Sequence, residues 1–217
     1  MNFMNVNSLF PVTWNEVSAV WYEIRIQGLK QTESEQDQTC ANAALLMGRV
    51  LFTLEERMEF VVSELESMTQ MGWAPAEAMM LVGIAEEDEP ILSVTLAELQ
   101  EKIAFEYRGA HEGLAITMKK EEPQALPALH PVDLQKAVFF LMQLPDGVQK
   151  MSGIENGRAE TICHLEGVQL LPDGLQYDIC IGSSVNSAGK ILMEKICYLA
   201  EFLGGESSFT GTDFSEL

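Results

Sequence analysis

Positive charge is scarce in this chain. Thirteen Lys and Arg face 33 Asp and Glu across 217 residues, giving a net charge of −20. A field of that sign repels nucleic acid and anionic membrane, excludes both as partners, and favours cationic ones. Histidine is limited to His111, His130 and His164. None stands in a Gly-x-Ser-x-Gly or comparable nucleophile frame, so no catalytic residue is assigned. The four cysteines (Cys40, Cys163, Cys180 and Cys197) lack any Cys-x-x-Cys spacing. Met1–Asn7 carries no positive n-region, so a secretory signal is not expected. Together these features describe reduced thiols in a cytoplasmic protein. No apolar run approaches the roughly 20 residues that cross a bilayer.

Two segments that approach known motifs fail on inspection. Gly182-Ser-Ser-Val-Asn-Ser-Ala-Gly189-Lys190 resembles a phosphate-cradling loop in outline. The first glycine of that pattern falls on Ser184, and the magnesium-binding Ser or Thr after lysine is Ile191. Ser187 as a helix cap with Lys190 on the surface accounts for the segment. Cys163-His164 with Cys180 and Cys197 offers soft ligands, but their spacings match no zinc ribbon or finger. Neighbours on a strand also point to opposite faces. No metal and no cofactor is therefore expected.

What the chain has is hydrophobic patterning: 47% hydrophobic and 21% charged residues, the balance of a globular protein. In Leu175-Gln176-Tyr177-Asp178-Ile179-Cys180-Ile181 apolar and polar residues alternate, marking a strand with one covered face. Leu171-Pro172-Asp173-Gly174 before it reads as a tight hairpin turn, and Asn156-Gly157 as another. The Leu-Pro-Asp-Gly of residues 144–147 recurs at 171–174, the same turn chemistry used twice. Ile191, Ile196, Leu199, Ala200 and Leu203 line one side of a closing helix.

The N-terminal half reads as helical. Val17, Val20, Trp21 and Ile24 follow i, i+3, i+4, i+7 between Thr13 and Gly28. A second helix is expected over about 39–52. Thr53-x-x-Glu56 opens a third by its capping-box form, with a stripe of Leu54, Met58, Val61, Val62, Leu65 and Met68. Pro75 begins a short helix through Met79 and Met80, and Thr95-x-x-Glu98 begins another that runs to Gly109. Lys119–Pro131, with three prolines and no period, reads as a linker.

The fold class expected is α+β: a mostly helical N-terminal portion, then a small antiparallel meander backed by a C-terminal helix. The expected organisation is a mainly helical portion at 1–118, a Pro-rich linker at 119–131, helix plus sheet plus helix at 132–204, and a flexible acidic tail at 205–217, with one fused domain as the variant. In composition the chain resembles the small acidic chaperones of bacterial secretion systems.

From Leu54 to Glu101 twelve acids face Arg57 alone. Glu86, Glu87, Asp88 and Glu89 with Trp73, Met71, Met79 and Met80 form the expected partner-binding set, an acidic rim beside an adaptable apolar centre. The function expected is a non-catalytic acidic protein of inhibitor, immunity or chaperone type that docks a basic or partly apolar protein partner. The alternative is an enzyme or small-molecule-binding protein with a pocket between the helices and the sheet. His111 beside Glu112, in a loop, is the candidate small-molecule site.

Overall fold

A computed structural model describes residues 1–30, 41–70, 73–211 and 214. In chain order the elements are β1 (Asn2–Phe10), β2 (Trp14–Gln27), α1 (Ala43–Glu55), β3 (Val61–Met68), β4 (Ala78–Ile84), α2 (Glu89–Glu106), β5 (Ala115–Lys120) and β6 (Gln124–Leu129). They continue with α3 (Pro131–Gln143), β7 (Gly147–Met151), β8 (Ala159–Leu171), β9 (Gly174–Ser183), α4 (Asn186–Phe202) and β10 (Glu206–Gly211). The strands form a ten-stranded sheet ordered β10-β1-β9-β8-β3-β4-β2-β5, with β6 added to β2 and β7 to β8. Every pairing is antiparallel.

Among the described residues the four α-helices lie on one face. Leu54, Leu99, Phe140 and Ile196 share a single core cluster with Val6, Ile24, Leu65, Met80 and Ile179 from five strands. Alternation along each strand sends the next residue to the face away from the helices. On that face Trp21, Leu81 and Ala128 form a second, smaller core where β6 lies against β2.

This architecture corrects the expectation of a mostly helical N-terminal portion with a small meander. Residues 14–27 are the long strand β2. Its apolar residues fit a helical period only because both faces are covered: Trp21 and Tyr22 are adjacent and both 0% exposed. Double burial erases the alternation that marks a strand, while the β-branched and aromatic content still favours one. The stripe from Leu54 to Met68 belongs to two elements, the end of α1 and β3. Thr53 is no N-cap, since its hydroxyl donates back to the Arg49 carbonyl one turn earlier. Residues 78–84, read as helical, are β4, buried on both faces.

The later hairpin is where its turn chemistry placed it. β8 and β9 pair from Leu171↔Gly174 outward, and Leu175, Tyr177, Ile179 and Ile181 are each at most 1% exposed. β7 and β8 pair on either side of the Asn156-Gly157 tip, where Gly157 takes φ +80°. The range 119–131 holds the end of β5, all of β6 and the first residue of α3, and one sheet carries strands from both sides of it. Within 205–217, β10 pairs with β1, and Phe214 is buried against Gly189.

Candidate functional site

The face away from the helices is polar where β1, β9 and β8 run side by side. Register sets Asn5 opposite Cys180 and Cys180 opposite His164, with Asn7 opposite Asp178 in the next row. Asn7 Nδ2 donates to Asp178 Oδ1 at 2.6 Å, and Gln176 Nε2 donates to both oxygens of the same carboxylate at 3.1 and 3.2 Å. A bulge in β8 between Leu165 and Gly167 turns Glu166 out of the ladder. The Glu166 carbonyl is fixed by the Thr69 N–H at 2.8 Å and the Thr69 hydroxyl at 2.6 Å. Glu166 and Asp178 therefore open onto one depression of about 620 Å³, rimmed by Asn5, Asn7, Ser208 and Thr210 and bounded by Met68. Burial, then the neighbouring Asp178 charge, push the Glu166 carboxyl up, with His164 opposing.

Beside the depression the sheet is split. β8 pairs with β7 as far as Cys163 and with β3 from Gly167, so among the described residues Leu165 has no strand partner on that side. Two side chains take the strand's place. Asp146 Oδ1 accepts the Leu165 N–H at 3.1 Å, and Asn42 Nδ2 donates to the Leu165 carbonyl at 2.8 Å. His164 Nδ1 lies 3.8 Å from the same Asp146 oxygen. Burial pushes the Asp146 carboxyl up, while His164, the Leu165 N–H and Asn42 hold it down. Trp73 covers this corner, stacked on Phe3 at 5.4 Å between centroids and tilted toward His164 at 6.0 Å.

The thiols here are not activated nucleophiles. Burial pushes Cys163 well above the ordinary thiol range and lifts Cys180 to about 12, with Glu166 adding to the latter. Among the described residues no group of three or more His, Cys, Asp or Glu is placed to hold a metal ion.

The residues singled out from sequence are dispersed. Glu86, Glu87 and Asp88 form a 3₁₀ turn after β4, and Glu89 opens α2, paired with Lys120 at 2.8 Å. Trp73 precedes β4, so the acidic turn and the tryptophan flank opposite ends of a strand roughly 20 Å long. Met80 is fully buried under the helices, whereas Met79 faces the other way, because adjacent strand residues alternate. Met71 lies outside the described residues, as does Cys40. His111 is 3% exposed, and its Nδ1 and Nε2 face the N–H groups of Lys30 at 3.0 Å and Ala41 at 2.8 Å; Glu112 is exposed. Lys190, from the loop that resembled a phosphate cradle, lies 3.9 Å from Glu194 on α4.

No protein-family model matches the chain, and no curated protein matches it in sequence. Among solved structures, aminoacylhistidine dipeptidase from Vibrio alginolyticus superimposes over 96% of this chain with a TM-score of 0.90 at 19% identity. The fold resembles that of a dipeptidase chain. The present chain spans 43% of the dipeptidase's length. An amidase of the hydantoinase/carbamoylase family from Burkholderia multivorans overlaps 62% of this chain and 32% of its own, at TM-score 0.34 and 15% identity. The dipeptidase likeness corrects the inhibitor, immunity or chaperone reading, since a peptidase-type fold fits the enzyme or small-molecule alternative better. Glu166, Asp178, Asn5 and Asn7 were missed from sequence. The alternation that marked β9 names Asp178 on its polar side, but nothing local marks Glu166, which a bulge exposes.

Proposed function

We propose that this chain is a peptide-binding part of a hydrolase of dipeptidase type, holding the ammonium end of a short peptide against Glu166 and Asp178. The observation that carries the reading is the shared depression: two carboxylates, amide oxygens and hydroxyls around one space of about 620 Å³. One fold serves many functions, and it is the site that sets the chemistry. Two like charges facing one cavity repel, and a cation placed between them relieves that repulsion. A dipeptide supplies such a cation at its N-terminus. The dipeptidase with this fold acts, by its name, on an aminoacyl compound.

Glycyl-histidine titrated into the chain and followed by amide chemical shifts tests this. Shifts at Asn7 and Thr210 that vanish in Asp178→Asn and with the N-acetylated peptide are the expected result. Equal shifts from free and acetylated peptide would overturn it, and cleavage of the peptide would move the reading from binding to catalysis.

A cytoplasmic location belongs to the same proposal. Among the described residues no helix is long and apolar enough to cross a membrane. Cys163, Cys180 and Cys197 are free thiols. Thiol titration after denaturation without reductant should find four reactive groups; two or none would argue for an oxidising compartment.

A further inference from the structure

A second cavity lies on the far side of the molecule, where β2 leaves the main sheet. Beyond Val20 toward its N-terminus, β2 drops its pairing with β4 and takes up β6. The crotch so formed is closed by the turn between α1 and β3 and by the first turn of α3. Its volume is about 650 Å³, within the span of small-molecule sites. The walls are apolar: Val17, Met58, Phe60, Ile84 and Leu134. The charged groups that line it are all acids, Glu55, Glu59 and Asp88.

Nearby cations are engaged elsewhere. Arg57 pairs with Glu98 at 2.8 Å, Lys136 with Asp133 at 3.5 Å, and Lys120 with Glu89 at 2.8 Å. The His130 ring accepts the Val132 N–H as the α3 cap. Desolvation pushes the Glu55 carboxyl up, as expected at the mouth of an apolar cavity. Apolar walls reward a nonpolar body with about 25 cal/mol for each Å² removed from water. The acids accept a positive head and reject a negative one.

We propose that this crotch binds a small organic cation, a primary ammonium carried on an aromatic or branched aliphatic body. The apolar body enters between Met58, Phe60 and Leu134, and the ammonium stays at the mouth among Glu55, Glu59 and Asp88. This inference does not rest on peptide binding at Glu166 and Asp178, and the two sites are separable by mutation.

The test uses the whole chain with methyl-labelled methionine and three probes of one shape: 2-phenylethylammonium, 2-phenylethanol and phenylacetate. The ammonium should shift the Met58 methyl saturably, the alcohol should bind roughly tenfold or more weakly, and the anion not at all. Glu55→Gln with Glu59→Gln, both exposed positions, should weaken the ammonium by a similar factor with the melting curve retained. Glu166→Gln should leave the Met58 shift unchanged. Equal response to all three probes, or none, overturns the proposal. Binding of a lysine-bearing tripeptide without binding of the amine would assign the crotch to a protein partner and overturn it too.

Discussion

Asn42 joins three elements through one amide. Its oxygen accepts the Ala44 N–H at 3.0 Å and so caps α1, while its nitrogen reaches Leu165 of β8 and Asp146 ahead of β7. Asn42→Ala removes the cap, worth ~1 kcal/mol, and strands a buried carbonyl, which costs ~1–3 kcal/mol more. Urea unfolding should show a loss of about 2–4 kcal/mol, and a loss under 1 would mean that the split in the sheet closes by another route. Glu166 offers a test by pH. Its carboxyl is raised by burial and by Asp178, so the folded chain holds the proton more tightly than the unfolded chain does. Stability from that proton is complete below the ordinary carboxylate range and is lost as pH rises through the folded value. Glu166→Gln is exempt from that loss. The Tm of the variant relative to wild type should climb as pH rises from about 4 through that window and then level off. A difference that stays flat across the window would show that Glu166 titrates as in water. Neither residue stood out in the sequence, because a cap and a bulge acquire their roles only from strands more than a hundred positions away, or from one displaced register.

At the scale of elements, legibility followed burial. β9 was readable because Leu175, Tyr177, Ile179 and Ile181 on one face are fully covered while Gln176 and Asp178 on the other are only partly buried, so Tyr177 and Asp178 differ in kind. β2 and β4 were not, because layers above and below draw apolar residues to both faces, and four successive residues such as Leu81–Ile84 then fit either period. The capping-box motif misled at Thr53 and again at Thr95, which lies buried in mid-helix. The segment between Thr13 and Gly28, expected as a helix, is the strand β2. Gly28 ends a strand, takes φ +81°, and a Cβ there would sit 1.9 Å from the Gly113 carbonyl oxygen. Gly28→Ala should therefore destabilise by at least ~2 kcal/mol through backbone strain and displacement of the α2–β5 connection. Thermal melting checks it; an unchanged Tm would mean that the two loops separate freely.

At the scale of the molecule, one border of the sheet is β10, which pairs with β1, so the first and last strands are neighbours. β1 lies between β9 and β10, and Met4 stands opposite Gly211 while Leu9 stands opposite Glu206. Residues 2 and 211 thus leave the sheet at the same end, as the two arms of a hairpin do. A mechanical load applied through them would meet the β1–β10 hydrogen bonds one at a time, like a zipper, and not as a row in shear. Optical-tweezer pulling should record an early low-force release of β10 before the body of the sheet yields; a single high-force rupture would contradict this geometry. A fold held together by a buried core thus has a border that opens to a gentle tug.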